Sequence, residues 1–274
     1  MKAMVLAAGL GTRLRPLTDT RPKALVEING RSLLEITLTR LKQFGIREVI
    51  INVHHFADMV VEYLKVNENF GMHIEVSREE VLLDTGGGLK KAAWFFLQDL
   101  AEMDEPFLLH NVDVISTIDF GEMRGFHKSR KALATLAVQD RETSRYLLFD
   151  KENQLCGRRV GRDGKPELAQ GFLADASTKT APASEGGRYT RQGAASAVPV
   201  HAGHSGALAF SGIHVISPRL LTMMPEDSVF SIIDTYLHLA SRGEMILAFN
   251  ADRFYWRDLG KPNDLKQAAE DLKT

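Results

Sequence analysis

Gly9, Gly11, Thr12, Arg13, Arg15 and Lys23 lie close together in the stretch LAAGLGTRLRPLTDTRPKALVEI, residues 6–28. Their types suit anion binding. Glycines let a backbone approach a ligand closely, N–H groups around Gly9 to Thr12 can ring phosphate oxygens, and Arg13 and Lys23 can approach from the side. Such a set fits a triphosphate whose charge must be neutralised during displacement. Any one of these residues taken alone reads more simply as a tight turn or a surface ion pair. The ensemble, directly after an apolar run, reads as a site. Two common phosphate loops are excluded. A P-loop closes on Gly-Lys-Ser/Thr, which is absent, and the dinucleotide fingerprint requires a third glycine where Leu14 stands.

The elements around this loop follow from apolar spacing. AMVLAAG reads as a buried strand, SLLEITLTRLKQFG as a helix ended by glycine, EVIINVHH as a strand and FADMVVEYLKV as a helix. MHIEVSRE, GGGLKKAAWFFLQDL and PFLLHNVDVI continue the alternation as strand, helix and strand. This pattern predicts an α/β fold, a Rossmann-like three-layer αβα sandwich on a mostly parallel (mixed) sheet, with ligands at the carboxyl ends of the strands. After about Phe120 the rhythm changes. ALATLAVQD, RYLLFDKENQLCG and LAFSGIHVIS read as further strands, making a small β-rich portion, and helices follow near 230–241 and 262–272. One domain over 1–274 is expected, with halves 1–120 and 121–274. The stretch from Gly171 to Gly206, rich in Ala, Ser, Gly and Thr, reads as a mobile insertion.

Composition narrows the partners. The formal net charge of −1 over 274 residues gives none of the basic surplus expected of a nucleic-acid binder. Cys156 is the only cysteine, so no intrachain disulfide forms, and no apolar run is long enough to cross a bilayer. A cytoplasmic protein without nucleic-acid or membrane partners is expected, as monomer or homodimer.

The run LAAGLGTRLRPLT followed by RPKALVEING closely resembles the signature of the sugar-1-phosphate nucleotidylyltransferases, the enzymes that make nucleotide sugars. LLDTGGGLKKA, HNVDV, SGIHVI and FYWRDLGKPNDLKQA resemble further motifs of that family, in the same order. The resemblance implies that Leu6, Ala7, Ala8, Gly9, Gly11 and Thr12 hold the triphosphate, and that Asp84, Thr85, Gly86 and Gly87 hold base and ribose. It places Asn111 at ribose or sugar hydroxyls, Gly212 beside the sugar pocket, and Asp113 and Asp258 on Mg²⁺. Read singly, each aspartate is as well explained as a cap. Jointly they fit a cation that takes one or two carboxylates plus phosphates and water.

In this reading a sugar-1-phosphate oxygen attacks the α-phosphorus of a nucleoside triphosphate and pyrophosphate leaves. Arg13 stabilises charge on the leaving group, and Lys23 contacts the phosphates near the transfer point. The LLDTGGGLKKA loop most resembles that of the bacterial muramate-1-phosphate uridylyltransferases, which favours UTP. Guanylyltransferases acting on mannose or heptose 1-phosphate share the first thirty residues almost as well. Val112 stands where the family's Asn-Gly-Asp has glycine, so a side chain narrows the pocket or turns the strand end. The family's lysine for the sugar phosphate has no clear counterpart: Lys165, Arg145, Arg158 and Arg159 are the candidates. Two other classes are weighed. A binding protein that has lost catalysis would have dropped one of Arg13, Lys23, Asp113 or Asp258. A glycosyltransferase would carry Asp-x-Asp where this chain has NVDV.

Overall fold

The computed structural model describes residues 1–98, 105–169, 206–225 and 229–272. The expected insertion, Gly206 apart, lies outside them. In chain order the strands are β1 (Ala3–Leu6), β2 (Glu27–Ile28), β3 (Arg31–Ser32), β4 (Glu48–Val53), β5 (His73–Arg78), β6 (Phe107–Asn111) and β7 (Val114–Ser116), then β8 (Ala134–Gln139), β9 (Arg145–Phe149), β10 (Leu155–Val160), β11 (Glu167–Leu168), β12 (Ala207–Ile216), β13 (Ile246–Asn250) and β14 (Trp256–Asp258). The helices are α1 (Leu33–Gln43), α2 (Ala57–Val66), α3 (Asp84–Lys91), α4 (Ala93–Leu97), α5 (Phe120–Arg130), α6 (Ile232–Ser241) and α7 (Pro262–Asp271).

The main sheet runs β11-β10-β9-β12-β6-β1-β4-β5, with β8 also on β12 and β13 on β8. Strands β6, β1, β4 and β5 are mutually parallel, while β12 is antiparallel to β6, β8 and β9. Alternation along the buried strands sends Ala3 and Val5 to one face, with α1, α2, α5 and α7. Met4, Ile50 and Leu109 go to the other face, with α3, α4 and α6. Three layers result, an α/β architecture with a mixed sheet whose first half is parallel.

Local chemistry sets the boundaries. Ser32 caps α1 by accepting the Glu35 N–H at 3.0 Å, and Asp119 caps α5 by accepting that of Glu122 at 2.9 Å. The apolar run expected as one strand from 106 to 115 breaks after Asn111: the Val112 N–H makes the last rung of the β1–β6 ladder with Leu6 O, and β7 then pairs with β14 in a separate sheet. The helix expected from Gly86 to Leu100 breaks at Ala92 into α3 and α4. Trp94, Phe95 and Phe96 cannot share one helix face: Phe95 and Phe96 are buried, and Trp94 is 45% exposed. A separate two-stranded sheet joins β7 to β14 and sets Asp258 opposite Val114.

Candidate active site

Register brings Leu6, Asn52 and Asn111 level, since Leu6 pairs with Asn52 across β1–β4 and with Asn111 across β1–β6. A cavity of about 430 Å³ opens beyond those three strand ends. Of the residues expected from sequence, Leu6, Ala7, Ala8, Gly9, Lys23, Asp84, Thr85, Asn111 and Asp113 line it. Val112 lines it too and is 4% exposed, so its side chain does fill space at the strand end.

Gly11 and Thr12 stand just outside this lining. Gly11 has φ +65°, and a Cβ there would lie 2.9 Å from Thr18 Cγ2 and 3.2 Å from Lys23 Cβ, so only glycine lets the loop close on Lys23. Thr18 donates its hydroxyl to Gly11 O at 2.8 Å and fixes the turn. Thr12 and Arg13 follow in a short 3₁₀ turn.

Lys23 is 8% exposed and ion-paired with Asp113 Oδ2. Asp258 lies beside that pair, because Leu259 next to it donates its N–H to Asp113 O at 2.8 Å. A Cβ on Gly260 would meet Asp258 Oδ1 at 2.6 Å and Arg13 Nη2 at 2.8 Å, so carboxylate and guanidinium converge over that glycine. Burial, then the Asp113 charge, pushes the Asp258 carboxyl above its ordinary range, while Lys23, Arg13 and the Gly260 N–H pull the other way. Two mutually repelling carboxylates, with no group of three acidic, His or Cys side chains among the described residues, make a donor set for a hard cation that completes its shell with phosphate and water.

Gly86 and Gly87 are not brought to the cavity. Their N–H groups donate to Phe230 O at 2.9 and 3.2 Å, and a Cβ on Gly86 would lie 2.4 Å from the Phe230 ring. Their smallness lets α3 pack on the segment before α6. Thr85 joins the same contact by accepting the Ile232 N–H at 3.0 Å. Gly212, at φ +73°, sits against Asn111 Nδ2, where a register shift between Phe210 and His214 interrupts the β12–β8 ladder.

Sequence reasoning missed Asn52 and Glu79. Asn52 Oδ1 accepts the Ala7 N–H at 2.8 Å, and its Nδ2 donates to Glu79 Oε1 at 2.6 Å. Glu79 Oε2 accepts the Leu83 N–H at 3.0 Å. This buried relay locks the glycine loop to the segment entering α3. Its only sequence signals were a polar Asn52 near the end of apolar β4 and Glu79 directly after β5. His54 donates Nδ1–H to Glu79 O at 2.8 Å and so belongs to the frame, while His110 is 1% exposed with its Nδ1 2.8 Å from Asn111 O.

Residues 2–274 match the profile of the family described as Nucleotidyl transferase. The chain belongs to that family. It is 38% identical over 268 residues to a Candida albicans protein named mannose-1-phosphate guanyltransferase, covering 96% of this chain and 62% of that one. It is 47% identical over 117 residues to the N-acetylmuramate alpha-1-phosphate uridylyltransferase of Caulobacter vibrioides, covering 41% of this chain and 46% of that one. The chain thus spans less than two thirds of the length of these curated relatives. Among solved structures, a putative glucose-1-phosphate thymidylyltransferase from Bacillus anthracis superposes with a TM-score of 0.71 at 16% identity, over 99% of this chain and 94% of that one. At that identity the likeness speaks for the fold, and the nucleotidyl transferase family shares its mixed sheet and flanking helices.

Proposed function

We propose that this chain transfers the nucleoside monophosphate of a nucleoside triphosphate to a sugar 1-phosphate, giving a nucleotide sugar and pyrophosphate, with Mg²⁺ as cofactor and UTP as the preferred donor. The observation that carries the reading is the Lys23–Asp113 pair on the wall of the cavity beside the glycine loop, with Asp258 and Arg13 converging next to it over Gly260. Four charged groups from chain positions so far apart converge on one point, and charge neutralisation there is what phosphoryl-type transfer needs.

An oxygen of the sugar phosphate attacks the α-phosphorus in line. The new P–O bond forms as the bond from the α-phosphorus to the bridging oxygen breaks, and pyrophosphate departs with that oxygen. The nucleophile is an anion at neutral pH, so no general base is required. Asp113 and Asp258 would hold Mg²⁺, which would supply charge neutralisation at the phosphate oxygens. Lys23, on the cavity wall, adds a fixed cation beside the transferred phosphate and orients Asp113 until substrate arrives. Arg13 faces the departing charge. The Ala7 N–H is committed to Asn52, so the loop arrives shaped before any phosphate binds.

The 47% identity to a uridylyltransferase, together with the LLDTGGGLKKA loop, supports UTP, with an N-acetylmuramate 1-phosphate acceptor in cell-wall recycling in the cytoplasm of a bacterium. The 38% identity to a guanyltransferase over nearly the whole chain supports the second reading, GTP with mannose or heptose 1-phosphate. The deciding experiment sets UTP, GTP, CTP, ATP and dTTP against several sugar 1-phosphates and follows pyrophosphate release with and without Mg²⁺. Release with a UTP pair, abolished by EDTA, is the expected result. No release with any pair would leave a nucleotide-sugar-binding protein without catalysis.

A further inference from the structure

Arg141 is a cation that the mechanism above leaves unused. It lies just beyond the end of β8, where its N–H donates to Gln139 O. Its guanidinium carbon stands 3.7 Å from the centre of the Trp256 ring, a stacked arrangement that suits the planar arginine head. Nη2 donates to Phe210 O at 2.7 Å, while Nε is buried with no hydrogen-bond partner. Among the described residues Arg141 forms no ion pair. Arg158, one of the candidates for the sugar phosphate, is held by both Glu167 and Asp234.

Position gives this cation its meaning. Trp256 and Asp258 are two residues apart on β14 and share a face of it. Trp256 is fixed by donating Nε1–H to Ser211 O at 2.7 Å, next to Gly212. Arg141 therefore stands on the Asp258 side of the site, near the Gly212 turn, and is not on the wall of the cavity formed by the glycine loop and α3. Burial lowers its pKa, and the Asp258 charge is the first influence that raises it again. A half-buried guanidinium that makes no direct ion pair and leaves a buried N–H unused gains from an oxyanion that completes it.

We infer that Arg141, presented on the Trp256 ring, binds an oxyanion of the acceptor substrate next to Asp258. This rests on the sugar-1-phosphate reading proposed above. The oxyanion has two possible sources, the acceptor's phosphate and a carboxylate carried by an acidic sugar such as the lactyl group of N-acetylmuramate. The recognising chemistry is the same for both.

The test measures KM for each substrate in wild type, Arg141→Lys and Arg141→Ala, with N-acetylglucosamine 1-phosphate and N-acetylmuramate 1-phosphate as acceptors. The expected result is an acceptor KM raised on the order of tenfold or more in Arg141→Ala, with the triphosphate KM within about twofold of wild type. Arg141→Lys keeps charge but loses the planar fork and falls between. A rise with both acceptors assigns the phosphate, and a rise confined to the muramate assigns the carboxylate. An unchanged acceptor KM in both variants overturns the inference, as does a parallel rise in both substrates' KM. Failure of both variants to fold overturns it too, since a structural staple then suffices. If wild type turns over no pair, the proposed activity fails separately, and binding decides Arg141: in a Trp94→Phe background Trp256 is the sole tryptophan, and its emission should respond to sugar phosphate with Arg141 present and not without it.

Discussion

Lys23 shows how one side chain serves both fold and chemistry. It is buried, it pairs with Asp113, and its Cβ packs where the Gly11 turn passes. Lys23→Ala should still fold, since Asp113 retains 20% side-chain exposure and can take water. Its turnover should fall by a factor of about 10² or more, the usual effect of deleting one preorganised cation. Arg13 is exposed, so Arg13→Ala should melt like wild type while losing rate on the same order. Stopped assays of pyrophosphate release with thermal melts check both, and unchanged turnover in the two variants removes these roles. Asn52→Ala should behave differently. It strands the Ala7 N–H and one Glu79 oxygen in a buried place, a loss of about 1–3 kcal/mol in urea unfolding with a raised triphosphate KM. A normal KM would mean the loop holds its shape without the relay.

At the scale of elements, the decisive contact is between α3 and the strand-like segment before α6. Gly86 accepts no side chain there because the Phe230 ring and carbonyl lie on it. Gly86→Ala should cost about 1–3 kcal/mol through overpacking. Phe230→Ala should restore part of that loss in a double-mutant cycle, and strict additivity would show the two positions to be independent. Elements with unbroken apolar spacing, such as β1, α1, β4, α2 and β5, were legible from sequence because periodicity and the glycine after α1 agreed. Helix α5 was not. Phe120, Met123 and His127 face the core at helical spacing, but Gly121 and Gly125 weaken the propensity of the same segment. Strand β13 was missed for another reason: ILAFN is a short apolar run without alternation, buried beside its parallel partner β8. The site was legible where its residues sit in one contiguous stretch or at a strand end with a family motif. Asn52, Glu79 and Arg141 carry no local pattern, because sheet register and a tryptophan distant in sequence give them their roles.

Across the whole molecule, the antiparallel half is fastened to the parallel half through β6 and β12, and two buried histidines lie at that seam, His110 on the Phe120 face of the sheet and His214 on the Tyr236 face. His110 pairs with Ile213 across the ladder, and His214 follows it, 2.7 Å from the Tyr236 hydroxyl. Burial pulls His110 down to about 4, with Arg40 pushing the same way and Asp113 opposing. Burial and then the His110 neighbour pull His214 down to about 3. His127, inside α5, is likewise lowered to about 4 by burial and then by Lys128. All three are neutral in the folded protein, whereas the unfolded chain protonates them near pH 6.5. Between about pH 6.5 and 4.5 the unfolded state therefore binds more protons, and stability must fall as pH falls. The slope approaches about 1.4 kcal/mol per pH unit for each histidine once the unfolded chain is fully protonated. Above pH 7 these residues contribute no slope. The paired carboxylates with lowered pKa, Glu105 and Glu167 among them, begin to lose their contribution as the unfolded chain's carboxylates protonate, so the part of the window above about pH 5.5 reports mainly the histidines. Urea unfolding across that window should show the decline, and His127→Gln should reduce its slope by about one histidine's share. A flat profile would place water or a compensating charge at the seam. Because the His110 ring touches Asn111 O at the end of β6, acid loss of packing there should reach the cavity first, and activity should fall before the global melt does.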